Sequence, residues 1–302
     1  MRIFLTGATG YIGSAVMDAL ARSGHDVTAL VRDPEKAEQM SRRGVRPVIG
    51  ELSRPASYSA AAESADSIVH TALESSKRSQ KVDRVAIDAL LAAAARRRNA
   101  GVPASVVYTS SAWVLGQAHG ATEETPANPI PLVSWRPEHE QAVLAARSGG
   151  VRAVVIRPGV VYGGARGIVG DLLKDAANGL VRVVGNGRNH WACIYDRDLA
   201  DLYVRVATMD DAAGVFHAND EADESVDDIV GAIAEHANMP PDVRHMPIEE
   251  ARKKMGAYAD ALALDQIIRS PRARALGWAP TLRSVAGSVA RLLEEFRTAR
   301  AA

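Results

Sequence analysis

The feature that most constrains this chain is its opening, where a short apolar run, a glycine-rich turn and a helical segment follow one another within residues 1–23. The turn places glycine at Gly7, Gly10 and Gly13. In such a Gly-x-x-Gly-x-x-Gly turn, the first glycine permits the tight turn, the second admits a pyrophosphate close to the backbone, and the third lets the helix pack on the strand. The helix start adds free N–H groups and the positive end of its dipole. The opening therefore predicts a dinucleotide-binding site.

Beyond this opening, apolar runs alternate with helical segments as far as residue 156. The runs that we predict as strands are residues 26–31, 45–50, 66–70, 104–109 and 151–156. Helices are predicted at residues 55–64, 80–99 and 134–147, and Pro34 is placed to begin another. Strands that read as continuous apolar runs belong to a parallel sheet covered on both faces. We therefore predict an α/β fold with a Rossmann-like doubly wound parallel sheet.

The alternation loosens after Arg157, where Pro158 and Gly159 interrupt the pattern. The following segments are mostly helical, at residues 168–178, 196–208, 225–236 and much of 246–300. We therefore predict a dinucleotide-binding Rossmann domain over residues 1–157, with returning segments around 181–218. A smaller, mostly helical C-terminal substrate-binding lobe is predicted over residues 158–180 and 219–302.

Composition excludes several classes of protein. The 302 residues carry a formal net charge of zero without a basic stripe interleaved with aromatic residues, so no nucleic-acid partner is expected. Cys193 is the single cysteine, which excludes an internal disulfide and a cysteine-based metal site, and the histidines lack zinc-binding spacing. A strand begins at Arg2 without room for a signal peptide, and no apolar run approaches the ~20 residues that span a membrane. We expect a soluble, cytoplasmic protein without a bound metal or a membrane partner.

The end of the second strand bears on the choice between NAD and NADP. A carboxylate there bonds the ribose 2′-hydroxyl of NAD, whereas an arginine pairs with the 2′-phosphate of NADP. Arg32 directly follows the strand, while Asp33 precedes Pro34 and is suited to capping a helix. We therefore favour NADP(H), with NAD(H) as the alternative.

Six segments of the chain, the opening glycine turn among them, follow one another in this order: residues 6–13 (TGATGYIG), 50–52 (GEL), 69–72 (VHTA), 110–116 (SSAWVLG), 157–163 (RPGVVYG) and 195–200 (YDRDLA). Together these segments resemble the extended class of short-chain dehydrogenase/reductases, which includes nucleotide-sugar epimerases and dehydratases. The resemblance implies a bound NAD(P) cofactor, and it places Ser111 at the catalytic Ser/Thr position.

The resemblance fails at the catalytic pair. The family uses Tyr-x-x-x-Lys, in which the tyrosine donates a proton to the carbonyl oxygen and the lysine holds the nicotinamide ribose. At the corresponding spacing after Ser111 this chain has Trp135 and His139. No tyrosine lies between Tyr108 and Tyr162, so no other alignment restores the pair. The chain thus resembles atypical family members that keep the cofactor site but lack the tyrosine, among them an angucyclinone ketoreductase of aminocoumarin antibiotic biosynthesis.

The candidate site residues follow from these motifs. Ser111 and His139 are the catalytic candidates, because a hydroxyl can donate to a carbonyl oxygen and an imidazole can bond ribose hydroxyls and titrate near neutral pH. A tryptophan or histidine that only packs in the interior is the alternative for Trp135 and His139. The cofactor-binding candidates are Gly7, Thr9, Gly10, Tyr11, Ile12, Gly13, Arg32, Glu51, Leu52, Thr71, Ala72, Thr109, His139, Pro158 and Val160. The substrate-binding candidates are Trp113, Trp135, Tyr162 and Trp191.

Three functions fit these residues. The first is an NADPH-dependent ketoreductase that reduces a polycyclic aromatic or quinone-type small molecule, with the proton supplied by substrate or solvent. The second is a non-catalytic NADP(H)-binding sensor that recognises a protein partner through residues 220–302. The third, a nucleotide-sugar epimerase, is the least favoured because the tyrosine that would act as base is absent. Family members often pair through the helices predicted here at 80–99 and 134–147, so a homodimer is expected by analogy.

Overall fold

A computed structural model describes residues 1–237 and 239–301 of the chain. Its strands are β1 (Arg2–Thr6), β2 (Asp26–Val31), β3 (Arg46–Ile49), β4 (Ser67–His70), β5 (Ser105–Thr109), β6 (Ala118–Ala121), β7 (Arg152–Pro158), β8 (Val160–Tyr162), β9 (Leu180–Val184), β10 (Cys193–Tyr195), β11 (Gly214–Ala218), β12 (Asp242–Met246) and β13 (Gln266–Ile268). Its helices are α1 (Tyr11–Arg22), α2 (Pro34–Arg42), α3 (Ser59–Glu63), α4 (Ser79–Asn99), α5 (Arg136–Ala145), α6 (Gly167–Ala177), α7 (Asp196–Thr208), α8 (Val226–Glu235), α9 (Ile248–Met255), α10 (Tyr258–Leu262), α11 (Pro271–Ala275) and α12 (Val289–Ala301).

Seven of these strands form one sheet, in the order β11-β7-β5-β4-β1-β2-β3. The pairings that join β7, β5, β4, β1, β2 and β3 are all parallel. The order reverses between β1 and β4, because the chain adds β2 and β3 on one side of β1 and then β4, β5 and β7 on the other. Strand β4 is buried throughout, as its continuous apolar run predicts. The predicted doubly wound α/β fold is confirmed.

The described residues divide into two compact units. Unit 1 comprises Met1–Ser110, Trp135–Arg157 and Leu199–Phe216, and unit 2 comprises Ser111–Ser134, Pro158–Asp198 and the residues from His217 onward. The division differs from the predicted boundaries at two places. Residues 111–134 belong to unit 2, because β6 within them pairs with β13, and the segment that returns to unit 1 begins at Leu199 rather than around residue 181.

Unit 2 contains more strands than the predicted helical lobe. Three parallel pairs, β6 with β13, β8 with β10 and β9 with β12, lie among its helices. One of its core clusters joins side chains from β8, β10, α6, α8 and α12, among them Tyr162, Cys193, Leu173, Ile229 and Leu292. Across the residues described in either unit, none of the helices has the length and apolar character needed to cross a membrane.

Helix α1 packs unusually close to the turn that precedes it. A Cβ atom at Gly13 would lie 2.0 Å from the carbonyl oxygen of Gly7 and 2.6 Å from Oγ1 of Thr71. Because the nearest atom belongs to the backbone, no side-chain rotation relieves this contact. The third glycine of the turn is therefore required by the packing of α1.

We expect Gly13→Ala to lower the free energy of unfolding by roughly 1–3 kcal/mol, because α1 must move away from β1 to accept the methyl group. Gly231 in α8 is the matched control, since a Cβ there meets no atom within 4 Å. Gly231→Ala should raise the same quantity by up to about 1 kcal/mol through helix propensity. Urea denaturation of the three proteins measures both effects. Equal effects of the two substitutions would contradict this account of α1.

Candidate cofactor and active site

The carboxyl ends of β1, β4 and β5 meet at one edge of the sheet in unit 1. Thr6, His70 and Thr109 are their last residues. Thr6 Oγ1 lies 2.6 Å from His70 Nδ1, and the hydroxyl of Thr109 donates to the carbonyl of His70 at 2.7 Å. Open α/β sheets bind ligands outside the carboxyl ends of the strands at the point where the strand order reverses, which here is between β1 and β4. This edge is the candidate cofactor site.

The glycine turn follows β1 at this edge. Gly7 has a φ of +82°, a left-handed conformation that favours glycine, and a Cβ on it would lie 2.6 Å from the backbone nitrogen of Ala72. Gly10 is the N-cap of α1, which has no side-chain cap and no acidic residue in its first turn. The free N–H groups and the positive dipole end of α1 are therefore left for an anion. A dinucleotide pyrophosphate fits this turn.

The remaining predicted residues of the turn and its β4 neighbour lie where the motifs place them. Thr9 precedes the N-cap, and Tyr11 and Ile12 begin α1. The backbone N–H and the hydroxyl of Thr71 both donate to the carbonyl of Thr6, at 3.2 and 2.7 Å. Thr71 and Ala72 thus form the wall against which the turn closes.

Arg32 and Asp33 have different surroundings at the end of β2. Asp33 is the N-cap of α2, and its Oδ1 accepts the N–H of Glu35 at 2.9 Å, with Pro34 as the first helical residue. Arg32 is exposed, and it makes no hydrogen bond to the described part of the chain. The carboxylate is therefore engaged in capping, while the guanidinium, which is attracted by the nearby charge of Glu74, has no hydrogen bond within the described residues to give up on binding a ligand.

Glu51 and Leu52 follow β3 in a segment that is held by its own hydrogen bonds. The N–H of Glu51 donates to the hydroxyl of Ser57 at 3.2 Å, and the carbonyl of Leu52 accepts from the hydroxyl of Tyr58 at 3.1 Å. Both side chains are half-buried. The sequence predicts that Glu51 and Leu52 bind the cofactor, and that role stays a prediction.

His139 is buried on α5, and Asp83 of α4 holds one side of its ring. Nδ1 of His139 lies 2.7 Å from Oδ2 of Asp83. Trp135 packs edge-on against the imidazole, with the ring centroids 4.8 Å apart. No hydrogen bond is made to Nε2 of His139 within residues 1–237 and 239–301. The ring is thus fixed by protein through one nitrogen, which leaves the other for a ligand.

Asp83 is the centre of a buried polar network. Its Oδ1 lies 3.2 Å from Nε2 of His70, and the hydroxyl of Tyr108 donates to its Oδ2 at 2.9 Å. Burial alone would raise the pKa of Asp83, but hydrogen bonds from His139 and His70, with the nearby charge of Arg136, hold this pKa well below its usual range. Asp83 is therefore a carboxylate. Burial raises the pKa of Tyr108, so its hydroxyl remains a donor.

A second buried contact holds α5 in place through Glu140, the residue after His139. Arg157 at the end of β7 makes two hydrogen bonds to the carboxylate of Glu140, from Nε at 3.0 Å and from Nη2 at 2.6 Å. Their side chains are only 7% and 4% exposed. Because Glu140 adjoins His139, this bidentate ion pair contributes to the position of the imidazole.

Ser111 lies in unit 2, at the start of a short 3-10 turn that spans Ala112–Leu115. Its Oγ accepts the backbone N–H of Trp113 at 3.2 Å, so its own proton remains available to an acceptor. Trp113 is half-buried and packs edge-on against Tyr258, which is 38% exposed, with ring centroids 6.4 Å apart. The two rings form an aromatic surface, and its Trp113 is the second residue after Ser111.

The other predicted residues of unit 2 are held in its interior. The N–H of Val160 donates to the carbonyl of Ala192 at 2.7 Å, directly after Pro158 and Gly159. Tyr162 is fully buried, and the indole N–H of Trp191, which is 6% exposed, donates to the carbonyl of Leu262 at 3.0 Å. The donor of Trp191 is thus occupied by the protein itself.

Two buried carboxyl groups of unit 2 hold protons more tightly than usual. Burial, reinforced by the charge of Glu224, raises the pKa of Asp220 to about 7. Burial also raises the pKa of Asp196 to about 6. Neither group was predicted from the sequence, which gives no signal for burial at these positions.

Comparison with known proteins agrees with this geometry. The family model described as the NAD dependent epimerase/dehydratase family matches residues 3–218. The chain belongs to this family. It is an NAD(P)-dependent oxidoreductase by this membership, and the predicted resemblance to extended short-chain dehydrogenase/reductases is confirmed.

Individual relatives differ in what is known of them. An uncharacterized protein of Schizosaccharomyces pombe is 32% identical over 291 residues, which cover 93% of this chain and 95% of the relative. A 4-hydroxy-2-methyl-3-oxo-4-farnesyl-3,4-dihydroquinoline-1-oxide ketoreductase of Stigmatella aurantiaca is 24% identical, over 83% of this chain and 78% of its own. The crystal structure of a Thermus thermophilus UDP-glucose 4-epimerase in complex with NAD matches with a TM-score of 0.81 and 20% identity, over 99% of this chain and 100% of that one.

Several residues that lie beside the predicted ones were missed from the sequence, among them Asp83 and Glu140 in unit 1 and Tyr258 in unit 2. Asp83 carried a usable signal, because it lies at helical spacing with Ala86, Ile87 and Leu90, all buried on α4, where a charged residue needs a partner. Tyr258 carried none, since its pairing with Trp113 depends on the fold of unit 2.

We expect Glu140→Gln to lower the free energy of unfolding by about 3 kcal/mol, because it leaves the Arg157 guanidinium buried without a counter-charge. Glu38→Gln is the matched control, since Glu38 and Arg42 form an ion pair with side chains that are 67% and 73% exposed. That change should cost less than about 0.5 kcal/mol. Urea denaturation at neutral pH measures both, and a small effect of Glu140→Gln would show that the buried pair adds little.

Proposed function

We propose that this oxidoreductase is an NADPH-dependent ketoreductase that reduces a carbonyl of a polycyclic aromatic or quinone-type small molecule. The observation that carries the proposal lies in unit 1, where α1 begins without a side-chain cap and Nε2 of His139 makes no hydrogen bond to the described residues, although the Tyr-x-x-x-Lys pair is absent. The site keeps what binding and orienting a cofactor require. It lacks the usual acid.

The cofactor, when bound, supplies a hydride to the carbonyl carbon, and the carbonyl oxygen then needs a proton or another means of stabilising its charge. A quinone, or a ketone beside a phenol, can delocalise that charge or bond it internally, and solvent can deliver the proton later. Ser111 can donate one hydrogen bond to the oxygen, because its Oγ–H is not used in the contact with Trp113. Positioning of the two reactants can then provide ~7–11 kcal/mol of the barrier reduction.

The aromatic substrate class rests on two observations. Trp113 and Tyr258 present partly exposed rings in unit 2. Trp113 is the second residue after Ser111. Planar polycyclic molecules pack favourably on such rings. The Stigmatella relative carries the name of a ketoreductase of a dihydroquinoline-1-oxide, which is a bicyclic compound.

The preference for NADPH rests on Arg32 and Asp33. The carboxylate of Asp33 caps the N-terminus of α2, whereas the exposed Arg32 guanidinium suits the 2′-phosphate.

A non-catalytic NADP(H) sensor is the second candidate, and the missing tyrosine and lysine favour it. Retention of Ser111 with a free hydroxyl proton counts against it, because a sensor needs no donor for a carbonyl oxygen. The epimerase reaction needs a base for a hydroxyl proton, which the missing tyrosine leaves unassigned.

We expect Arg32→Ala to weaken NADPH binding by about 10- to 100-fold and to leave NADH binding unchanged, because only NADPH carries the 2′-phosphate. Titration calorimetry with both cofactors measures the two affinities. Arg42→Ala is the control, since Arg42 is also exposed but lies at the far end of α2. An equal loss for NADH and NADPH would overturn the proposed preference.

We expect the protein to oxidise NADPH in the presence of at least one member of a panel of quinones and hydroxylated aromatic ketones. The loss of NADPH absorbance measures this oxidation.

In single-turnover experiments, Ser111→Ala should slow hydride transfer by no more than about 10-fold, because one hydrogen bond contributes ~1.4 kcal/mol. A fall beyond ~1,000-fold, about 4 kcal/mol, would show that the protein supplies the acid. Ser134→Ala serves as control. Cofactor binding without oxidation across the panel would favour the sensor.

A further inference from the structure

We propose that Asp83 is a positioning residue of the cofactor site, which holds His139 so that Nε2 is the ring atom presented to the nicotinamide ribose. The ribose contact of His139 rests on the proposed function. The role of Asp83 rests on contacts within unit 1, and nothing in the sequence motifs assigned it.

The first step is the orientation of the imidazole. Oδ2 of Asp83 lies 2.7 Å from Nδ1 of His139, and the two side chains are 3% and 2% exposed. Trp135 contacts the ring at a centroid distance of 4.8 Å. Rotation of the ring would break a buried charged hydrogen bond, so the orientation of His139 is set by α4 and not by α5 alone.

The second step is the proton on that ring. A carboxylate only accepts hydrogen bonds, so Nδ1 of His139 must carry the proton that faces Asp83. The nitrogen that bonds a fixed acceptor determines which nitrogen is protonated in a neutral imidazole. Nε2 of neutral His139 then holds a lone pair. It accepts a hydrogen bond from a hydroxyl, which is what each ribose hydroxyl can donate.

The third step is the position of the His139 imidazole relative to the glycine turn. Oδ1 of Asp83 lies 3.2 Å from Nε2 of His70, and Nδ1 of His70 lies 2.6 Å from Oγ1 of Thr6. Thr6 immediately precedes Gly7. Three consecutive hydrogen bonds therefore connect His139 to the residue before the phosphate-binding turn, which places the imidazole at the same edge of the sheet.

The network is consistent with one assignment of protons. If Thr6 donates to His70, His70 donates to Asp83 through Nε2, and His139 and Tyr108 donate to Asp83, then each donor has an acceptor. Nε2 of His139 is the one ring nitrogen of the two histidines without a hydrogen bond to the described residues. A ligand hydroxyl completes the set.

The test begins with the wild-type protein, 15N-labelled at histidine, without and with NADP⁺. At about pH 9, where histidines are ordinarily neutral, two-bond 1H–15N spectra should show His139 protonated at Nδ1 and bare at Nε2. Saturation with NADP⁺ should shift the Nε2 resonance more than the Nδ1 resonance. His139→Gln assigns the signals by their loss. A proton on Nε2, or an Nε2 signal that the cofactor leaves unmoved, would overturn the inference.

A double-mutant cycle then separates positioning from general stability. Asp83→Leu and His139→Gln should each weaken NADP⁺ binding about 10-fold, and Asp83→Leu should add less than about 2-fold in the His139→Gln background. Additive losses would show that Asp83 acts on the fold and not through His139. Asp66→Leu is the matched control, because Asp66 bonds Arg2 and Arg97 in the same unit and should leave binding and the His139 spectrum unchanged.

The outcomes separate this inference from the proposed function. If Asp83→Leu does not fold, the wild-type spectra decide the inference alone. If the spectra and the binding cycle are as expected but the protein oxidises no NADPH, the ketoreductase proposal is overturned and the role of Asp83 is supported. If the protein reduces a ketone but the Nε2 resonance of His139 does not shift when the cofactor binds, only the role of Asp83 is overturned.

Discussion

The edge of unit 1 depends on the carboxylate of Asp83. It accepts hydrogen bonds from His139 on α5, His70 on β4 and Tyr108 on β5. A buried carboxylate deprived of its donors is strongly destabilised, so the charge is tolerable only while these elements keep their places. The same contact that stabilises the interior therefore fixes the geometry of the cofactor site, because α4, α5 and two strands cannot shift independently at this edge.

Strands β1, β2, β4, β5 and β7 of unit 1 could be predicted because their burial makes each of them a largely apolar run. Strand β3 lies at the edge of the sheet and is only partly buried. The helix predicted at 134–147 is shorter, Arg136–Ala145, because Pro131–Val133 forms a 3-10 turn before it and Ala146–Gly149 another after it. The strand pairs of unit 2 were not predicted. Their strands have only three to five residues, and β6 pairs with β13 far along the chain, so no local window contains both partners.

The candidate site was predictable where its chemistry is local. The glycine turn and the end of β2 each lie in a few consecutive residues, and the capping of α2 by Asp33 is confirmed. The partner of His139 was not predictable in this way, because Asp83 lies 56 residues earlier on another helix. His139, which the sequence identifies by its spacing from Ser111, is held by a residue that the family motifs do not mark.

The network also bears on the missing acid. Tyr108 lies at the same edge of the sheet, yet burial raises its pKa and its hydroxyl donates a hydrogen bond to Asp83. The hydroxyl of Thr109 donates to the His70 carbonyl, and Nδ1 of His139 donates to Asp83. These three donors are thus engaged in holding the site together. A proton taken from any of them would leave a buried acceptor unsatisfied, so the edge that orients the cofactor is a poor source of the proton that completes a reduction.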